Sequence, residues 1–330
     1  MTYPDIYMTP EYCHLFNEID HGTHQIFLHE SKTGKVLYTF ILRPIEIEHA
    51  PEGYYDIISP YGYGGPVILE CDPGHHPQIM NEYHEAFLAF VKDNNVVSEF
   101  VRFHPILNNA GYCRSIYHVE FNRNTVAIDL TTPDPLMDCF TSSCRNKIRT
   151  AQKNNIQIEF DFSGSTVTDF HRIYTRTMEK NDAKEFYFFP ESFFQKLFQV
   201  LKGKALLINA IVDGTIVCAG LFFHYRSMMH TFLSATDPEY YKIPCKNLVY
   251  SEAAQWGKAN DCHVLHLGGG YTPDPMDSLL SFKKSFARNG LCHFYIGKQI
   301  HHQAMYDALV KSIMPKPNLI SSDFFPLYRS

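Results

Sequence analysis

An internal repeat constrains the fold of this chain more than any other feature of its sequence. The segment QIFLHESKTGKVLYTFILRPI, which starts at Gln25, aligns without a gap with ALLINAIVDGTIVCAGLFFHY, which starts at Ala205. Each copy contains an apolar stretch, a turn centred on Gly34 or Gly214, and a second apolar stretch. Because a glycine between two β-rich stretches is typical of a β-hairpin, the repeat predicts two hairpins.

The similarity extends downstream of both predicted hairpins. EAFLAFVKDNNVVSEFVRFHP, from Glu85, has the pattern of an amphipathic helix, an Asn-rich turn and a strand. EAAQWGKANDCHVLHLGGG, from Glu252, repeats this order with a shorter connection. A hairpin followed by a helix and a strand, found twice in one chain, predicts two copies of one α/β unit.

Composition limits the class of protein. The 330 residues, of which 45% are hydrophobic and 19% charged, suffice for two domains with their own cores. The nine cysteines are odd in number and never spaced Cys-x-x-Cys, which is typical of reduced thiols in a cytoplasmic protein. We expect neither a signal peptide nor an integral membrane segment, since no apolar run approaches roughly 18 residues. The net charge of −6 argues against a generic nucleic-acid-coating protein but leaves room for a local basic patch.

The sequence does not favour a metal site or two common catalytic classes. Among the 18 histidines there is no His-Glu-x-x-His motif. The adjacent pairs, His75 with His76 and His301 with His302, do not converge easily on one ion, so we expect no bound metal. The Gly-x-Ser-x-Gly and P-loop motifs are also absent, which excludes the simplest hydrolase and P-loop interpretations.

A basic segment lies between the two copies. Two prolines in TTPDPLMDCFTSSCRNKIRTAQKNN indicate a domain junction followed by a helix, with Asp134 or Asp138 as its cap. Arg145 and Arg149 share one helix face, and Lys153 lies one turn further on. This face is either solvated or forms a phosphate-binding surface, and the sequence leaves both interpretations open.

A glycine-rich segment, SPYGYGGPV at residues 59–67, follows the first predicted strand after the hairpin. Gly64 and its neighbouring glycines allow a ligand to approach the backbone closely. Tyr61 and Tyr63 add flat apolar faces with hydroxyl tips. The segment is either a tight loop or one wall of a substrate groove.

A second glycine-rich segment ends the strand HVLHLGGG. Gly268, Gly269 and Gly270 come at its carboxyl end, where ligands collect in open α/β sheets. The sequence YTPDPMDSLLSFKKSF then predicts a helix with Asp277 as its N-cap.

The lysines of that helix point in different directions. At about 100° per residue, Leu279, Phe282 and Phe286 form an apolar stripe. Lys283 lies roughly 40–60° from the centre of the stripe, whereas Lys284 lies well outside it. A buried ammonium is costly unless it meets an anion or polar ligand, so Lys283 either extends its head to water or faces a substrate. In the second case it stabilises a developing oxyanion or a phosphate.

These segments together resemble the FemA/FemX family. The resemblance is carried by SPYGYGGP (59–66), VRFHPILNN (101–109), SSCRNKIRTAQKNN (142–155), HLGGG (266–270), DSLLSFKKSF (277–286) and FYIGKQI (294–300). It implies an α/β fold of two tandem GNAT-like (acyl-CoA N-acyltransferase-like) domains with mixed sheets facing a cleft. The implied domains are residues 1–135 and 136–312, with a tail from about 313 to 330 that packs on the first domain.

The resemblance also implies an activity. Members transfer an aminoacyl group from aminoacyl-tRNA to an amine, here of a cell-envelope precursor or small molecule. Lys283 corresponds to the lysine at the acyl-donor site of the family and is the implied catalytic residue. Two alternatives remain open: an acyl-CoA-dependent N-acetyltransferase of an amino sugar or other small amine, and a non-catalytic binding protein. Residues 235–247 lack the glycines of a CoA pyrophosphate loop, which disfavours acetyl-CoA.

The predicted substrate contacts are spread over both halves. We expect cations to hold phosphates of a nucleotide- or lipid-linked acceptor or the tRNA acceptor end, namely Arg102, Arg145, Arg149 and Lys298. His104 lies in the same predicted site, and with Asp274 it is a candidate general base. No cofactor is expected beyond the donor itself, and the expected oligomeric state is a monomer or weak dimer.

Overall fold

Residues 2–47, 51–313 and 324–330 are described by the structure, a computed structural model. The chain forms two units: unit 1 comprises Met1–Asn122 and His293–Ser330, and unit 2 comprises Arg123–Cys292. The chain enters unit 2 inside a strand, His118–Asp129, and returns inside another, Leu291–Ile300. Neither crossing therefore coincides with the expected positions near residues 135 and 312.

The elements follow one another in a mixed α/β order. The chain begins with α1 (Pro10–His14), β1 (Thr23–Glu30), β2 (Gly34–Pro44), β3 (Tyr55–Ile58), β4 (Val67–Cys71), α2 (His76–Asp93), β5 (Val96–Arg102), α3 (Ala110–Cys113) and β6 (His118–Asp129). It continues with α4 (Pro135–Asp138), α5 (Ser142–Lys153), β7 (Gln157–Asp161), α6 (Val167–Lys180), α7 (Glu191–Val200), β8 (Ala205–Val212), β9 (Thr215–Tyr225) and β10 (Met228–Thr236). The last elements are α8 (Cys245–Ala259), β11 (Val264–Gly269), α9 (Ser278–Lys284), β12 (Leu291–Ile300) and α10 (Gln303–Ile313).

Both repeat copies adopt the predicted structure. β1 pairs antiparallel with β2, and β8 pairs antiparallel with β9, so the two hairpins are confirmed. In each unit a third strand, β3 or β10, is followed by a helix and by a strand parallel to it, β5 or β11. The α/β class with mixed sheets is confirmed, and the duplicated order of elements explains the internal sequence repeat.

The strand order differs between the sheets of the two units. In unit 1 it is β1-β2-β3-β5-β12, and β4 pairs with the first residues of β2, on the edge that β3 occupies further along the strand. In unit 2 it is β6-β11-β10-β9-β8-β7. Among the described residues, no helix is both long and apolar enough to cross a lipid bilayer.

Aromatic side chains dominate the core of unit 1. Tyr38 and Phe40 of β2 and Tyr83 and Phe87 of α2 are all at most 1% exposed. The ring centroids of Phe87 lie 5.5 Å from both Tyr38 and Tyr83, within the range of favourable aromatic pairs. This packing of α2 on the hairpin accounts for much of the high aromatic content of the chain.

The basic segment between the copies forms two helices rather than one. Asp134 caps the short α4, and Thr141 caps α5 by accepting a hydrogen bond from the Cys144 N–H. The expectation that Asp134 or Asp138 caps the basic helix is therefore wrong. The physical reason is the extended backbone of Thr141 (φ −67°, ψ 155°), which separates the two helices.

The described end of the chain, residues 324–330, belongs to unit 1. Arg329 Nε donates to Asp56 Oδ2 at 2.5 Å, and the Tyr328 hydroxyl lies 3.2 Å from the same oxygen. Arg43 Nε donates to the other Asp56 oxygen at 2.6 Å. One buried carboxylate thus joins β2, β3 and the C-terminal residues, while residues 314–323 of the predicted tail lie outside the described residues.

Candidate active site

Two parallel strands of unit 2, β10 and β11, separate soon after they begin to pair. Their ladder covers three positions, from Met228↔Val264 to His230↔His266. β10 then continues along β9 with a register shift between residues 231 and 233, and β11 continues along β6 with a shift between 266 and 268. The carboxyl ends of the two strands therefore form no ladder with each other, and such ends are where ligands collect in α/β sheets.

The three glycines at the end of β11 are each required for a different reason. Gly268 has a φ of +75°, in the left-handed region that favours glycine. A Cβ on Gly269 would lie 2.9 Å from Arg123 Cδ, and a Cβ on Gly270 would lie 2.3 Å from Asp277 Oδ1. The bare backbone thus allows an arginine and a carboxylate to approach the end of the strand closely.

Asp277 is the N-cap of α9, as predicted. Its Oδ1 accepts the Leu280 N–H at 2.8 Å, and its Oδ2 accepts the N–H groups of Tyr271 and Thr272 at 3.1 and 3.0 Å. Although burial acts to raise it, these hydrogen bonds lower the pKa of Asp277 below its usual value. The ionised carboxylate therefore fixes the loop after Gly270 to the start of α9.

The buried side of α9 carries Lys283. Leu280 is 2% exposed and Lys283 is 9% exposed, whereas Lys284 is exposed, which confirms the opposite directions expected for the two lysines. The predicted stripe is wrong at Leu279, which is only partly buried. Leu280 takes its place because its Cβ packs directly against the position of Gly270.

Aromatic rings fix the direction of α9. The ring of Tyr250, on α8, has its centroid 5.8 Å from that of Phe282 and 5.3 Å from that of Phe286. Phe140 packs against Phe286 from the other side at 5.2 Å. Since Phe282 precedes Lys283 directly, this packing determines where the lysine side chain points.

The Lys283 ammonium lies beside the bare backbone. Its Nζ donates to the Gly269 carbonyl oxygen at 2.7 Å. Burial, and then the charge of Lys246, lower the pKa of Lys283 to about 7; Asp277 opposes this shift, and Arg123 adds a smaller lowering effect. At neutral pH this amine is close to half protonated, so it can either stabilise a negative charge or take up a proton.

Lys246 is a functional candidate that the sequence did not single out. It lies in the first turn of α8, directly after the segment that links β10 to this helix. Burial lowers its pKa below the usual value, and Cys218 on β9 is a titratable neighbour. A lysine two residues after Pro244 was visible in the sequence, but the effect of its charge on Lys283 depends on how α8 and α9 pack.

Exposed aromatic side chains lie next to this site. Tyr271, directly after the glycines, is 59% exposed, and Tyr241 is 42% exposed. Lys180 Nζ lies 4.0 Å from the centroid of the Tyr241 ring, and Asn181 Nδ2 lies 3.4 Å from the Tyr271 hydroxyl. Flat rings combined with cations can bind a planar or anionic ligand.

The residues of the predicted basic face on α5 differ in their hydrogen-bond partners and in their exposure. Arg145 Nη1 donates to the Phe140 carbonyl oxygen at 2.5 Å, which ties the arginine to the start of its own helix. Arg149 is exposed, and its Nη1 lies 3.3 Å from Asn146 Oδ1. Lys153 is exposed as well. Of these residues, Arg149 and Lys153 are therefore the more accessible to an anion.

The glycine-rich segment of unit 1 is a closely packed loop. The Tyr61 carbonyl oxygen accepts the Tyr12 hydroxyl at 2.6 Å, and the Tyr63 ring lies 5.6 Å from that of His104. The Gly64 N–H donates to the Arg102 carbonyl oxygen at 2.6 Å. Packing within unit 1 therefore explains why the loop has these tyrosines and glycines.

The other candidates of unit 1 also have protein partners. Arg102 Nη1 donates to the Ser59 carbonyl oxygen at 2.6 Å, and Lys298 Nζ donates to Glu120 at 2.6 Å. His104 is fully buried, and its Nδ1 accepts two backbone N–H groups at 3.1–3.2 Å. In unit 2, Asp274 is exposed and its carboxylate accepts the Met276 N–H. The structure thus brings together Gly268, Gly269, Gly270 and Lys283, and it adds Arg123 to them.

Gly270→Ala is expected to destabilise the protein by about 1–3 kcal/mol, because the added methyl group overlaps the capping carboxylate of Asp277. Urea unfolding measures this loss of free energy. The matched control is Gly111→Ala, where the nearest atom to a new Cβ lies 3.9 Å away and no loss is expected. Equal unfolding free energies for Gly270→Ala and the parent protein would contradict this account of the glycines.

Known proteins resemble both the sequence and the fold. A family model described as an acetyltransferase (GNAT) domain matches residues 140–277. The UDP-N-acetylmuramoylpentapeptide-lysine N(6)-alanyltransferase of Weissella viridescens is 24% identical over 196 residues, which cover 57% of this chain and 56% of the relative. The match thus spans little more than half the length of this curated relative.

Solved structures share the fold at low sequence identity. FemX superposes with a TM-score of 0.71 at 11% identity, covering 93% of this chain and 95% of FemX. The C-terminal domain of a putative lysylphosphatidylglycerol synthetase from Agrobacterium fabrum gives 0.57 at 12% identity, covering 92% and 93%. The matched domain and the shared fold are those of GNAT-like proteins. Within this class, the chain is similar to FemX in its fold and to the Weissella viridescens alanyltransferase in its sequence.

Proposed function

We propose that this protein transfers an aminoacyl group from an aminoacyl-tRNA to an amine of a cell-envelope precursor or of a small molecule. The observation that carries the proposal is the position of Lys283, which is buried beside the bare backbone at the separated end of β11. The name of the Weissella viridescens relative, which describes alanine transfer to a lysine N6 amine, supports this reaction class.

The reaction involves three changes: one bond forms, one bond breaks and one proton is transferred. The acceptor nitrogen forms a bond to the acyl carbon, the ester C–O bond breaks, and a proton moves from the nitrogen to the leaving oxygen. A negative charge develops on the former carbonyl oxygen during the attack. The protonated form of Lys283 stabilises this charge in a place from which water is largely excluded.

The segment between β10 and α8 favours an RNA ester over a CoA thioester as donor. A pyrophosphate bound at this position needs free backbone N–H groups. The two prolines at 238 and 244 have none, and six further N–H groups already donate within the segment: those of Glu239, Tyr240, Tyr241, Ile243, Cys245 and Asn247. Few backbone donors therefore remain for a pyrophosphate.

A two-donor assay tests the proposal. The purified protein is incubated with a mixture of charged tRNAs or with acetyl-CoA, each with UDP-N-acetylmuramoylpentapeptide and a panel of small amines, and the acceptors are weighed by mass spectrometry. We expect an aminoacyl mass increase with charged tRNA, and a steep fall in rate as salt rises. Transfer from acetyl-CoA alone, or from neither donor, would overturn the proposal.

A further inference from the structure

The C-terminal end of α6 contacts both loops that follow the separated strands β10 and β11. Lys180 Nζ lies 4.0 Å from the ring centroid of Tyr241, in the loop after β10. Asn181 Nδ2 lies 3.4 Å from the hydroxyl oxygen of Tyr271, in the loop after β11. Because Lys180 and Asn181 are consecutive, with Cα atoms about 3.8 Å apart, these contacts bring the two tyrosines to the same end of α6. We call these four residues the aromatic platform.

Both rings of the aromatic platform are exposed to solvent. Tyr271 is 59% exposed and Tyr241 is 42% exposed. Among the residues that the structure describes, no other aromatic ring packs against either of them. An exposed ring beside a cation stacks favourably on another flat ring. Unlike the buried rings around α9, these two therefore contribute little to the core and are accessible to a ligand.

The loop that carries Tyr241 is fastened to α6. Arg176 lies one helical turn before Lys180, and its guanidinium donates to Asp237 at 2.6 Å and to Glu239 at 2.9 Å. Asp237 is 4% exposed, so water screens its ion pair with Arg176 only in part. These contacts hold Tyr241 beside Lys180 before any ligand binds, and a side chain that is already in place loses less conformational freedom on binding.

Tyr271 is joined through its backbone to the site of Lys283. Its N–H donates to Asp277 Oδ2 at 3.1 Å, and its carbonyl oxygen accepts a hydrogen bond from Arg123 Nη1 at 3.2 Å. One residue separates Tyr271 from Gly269, whose carbonyl oxygen accepts the Lys283 Nζ at 2.7 Å. The aromatic platform therefore begins directly beside the place where the acyl group of the donor is proposed to react.

This position indicates the ligand of the platform, and the inference rests on the proposed function. In an aminoacyl-tRNA the ester joins the amino acid to the terminal ribose, so one sugar ring separates the reacting ester from the terminal base. We propose that Tyr241 and Tyr271 bind the terminal base of the donor RNA by stacking, while Lys283 meets the acyl carbonyl oxygen. Stacking on aromatic side chains is a general means of binding unpaired bases, and the Lys180 ammonium adds a positive charge that suits a polyanion.

The affinity for a donor analogue tests the proposal in the whole protein. The probe is the RNA 5′-CCA-3′, whose terminal adenosine carries alanine through a 3′ amide, and fluorescence anisotropy of a dye at its 5′ end measures binding. We expect Tyr271→Ala and Tyr241→Ala each to weaken binding roughly tenfold, and Tyr271→Phe, which keeps the ring, to stay within about twofold of the parent. Phe121→Ala removes an exposed ring from unit 1 and should leave the affinity unchanged.

An abasic probe separates stacking from other effects of these substitutions. It is the same RNA with a terminal ribose that carries the alanyl amide but lacks its base. The parent should bind the abasic probe at least about tenfold more weakly than the complete probe. The double variant Tyr241→Ala/Tyr271→Ala should bind both probes within about twofold of each other, because the rings that the base contacts are already removed. A double variant that still prefers the complete probe as strongly as the parent does would overturn the inference.

UDP represents the other source of a base, a nucleotide-linked acceptor. The double variant should bind UDP as the parent does. If it instead binds UDP more weakly and the complete RNA probe equally well, the platform serves the acceptor and the inference is wrong.

Transfer kinetics separate this inference from the proposed function. The double variant should raise the KM for charged tRNA at least about tenfold. Transfer from charged tRNA with an unchanged KM would overturn the inference and leave the proposed function standing. A preference for the base that is lost in the double variant, without transfer from any donor, would overturn the proposed function and leave the inference standing.

Discussion

Lys283→Met is expected to lower the rate of aminoacyl transfer by about 10²- to 10³-fold, because the variant loses the charge that stabilises the developing oxyanion. Methionine has a similar length and suits the buried position on α9. Lys284→Met is the matched control, since the neighbouring side chain is exposed, and it should keep the parental rate. Single-turnover transfer from charged tRNA measures both. A Lys283→Met rate within threefold of the parent would contradict the assignment.

The same substitution is expected to stabilise the fold. Lys283 has a pKa of about 7 when folded, below its usual value of 10.5, so the unfolded chain binds more protons between these values. Its burial therefore costs free energy that is fully present below about pH 7 and is relieved as the pH rises toward 10.5, amounting to a few kcal/mol. Lys283→Met should unfold at higher urea concentration than the parent at pH 6, and the difference should shrink toward pH 10. Residues that serve an active site commonly lower the stability of the fold in this way.

Asp56→Ala is expected to have the largest effect on stability, about 3–5 kcal/mol, because it leaves the Arg43 and Arg329 guanidinium groups without their carboxylate in a buried place. Urea unfolding followed by far-UV circular dichroism measures the loss in the whole protein. The single tryptophan, Trp256, lies on α8 of unit 2, so its fluorescence reports on that unit alone.

Glu70→Ala provides the comparison for Asp56→Ala. Glu70 forms an exposed ion pair with Lys35 at 3.3 Å, and such pairs contribute at most about 1 kcal/mol. A loss for Asp56→Ala no larger than that for Glu70→Ala would show that the buried network does not hold the C-terminal residues on unit 1.

Features that depend on short stretches of sequence could be predicted well. Gly34 and Gly214 marked hairpins because a turn between β-rich stretches needs only local residues. Asp277 was identified as a cap, and Lys283 as an inward-facing lysine, because both follow from helical spacing. Helical spacing predicted the wrong burial for Leu279. The direction in which a two-turn helix faces is fixed by what it packs against, here Gly270 and Phe286.

Features that depend on tertiary partners could not be predicted. Arg102, Arg145 and Lys298 were expected to hold phosphates, but each has a protein acceptor from a neighbouring segment or strand. A cation that binds a ligand and one that binds its own chain have the same sequence signature. Lys246 was not singled out because its burial at the start of α8, which lowers its pKa, depends on tertiary packing that the sequence does not show.

The most direct test of the central claim is a crystal structure with a stable analogue of the donor, a short RNA whose terminal ribose carries an amino acid through an amide instead of an ester. We predict that the amide carbonyl oxygen lies within hydrogen-bonding distance of Lys283 Nζ, about 3 Å, beyond the end of β11. A complex in which the aminoacyl group binds away from Lys283, with this lysine still directed only at Gly269, would contradict it.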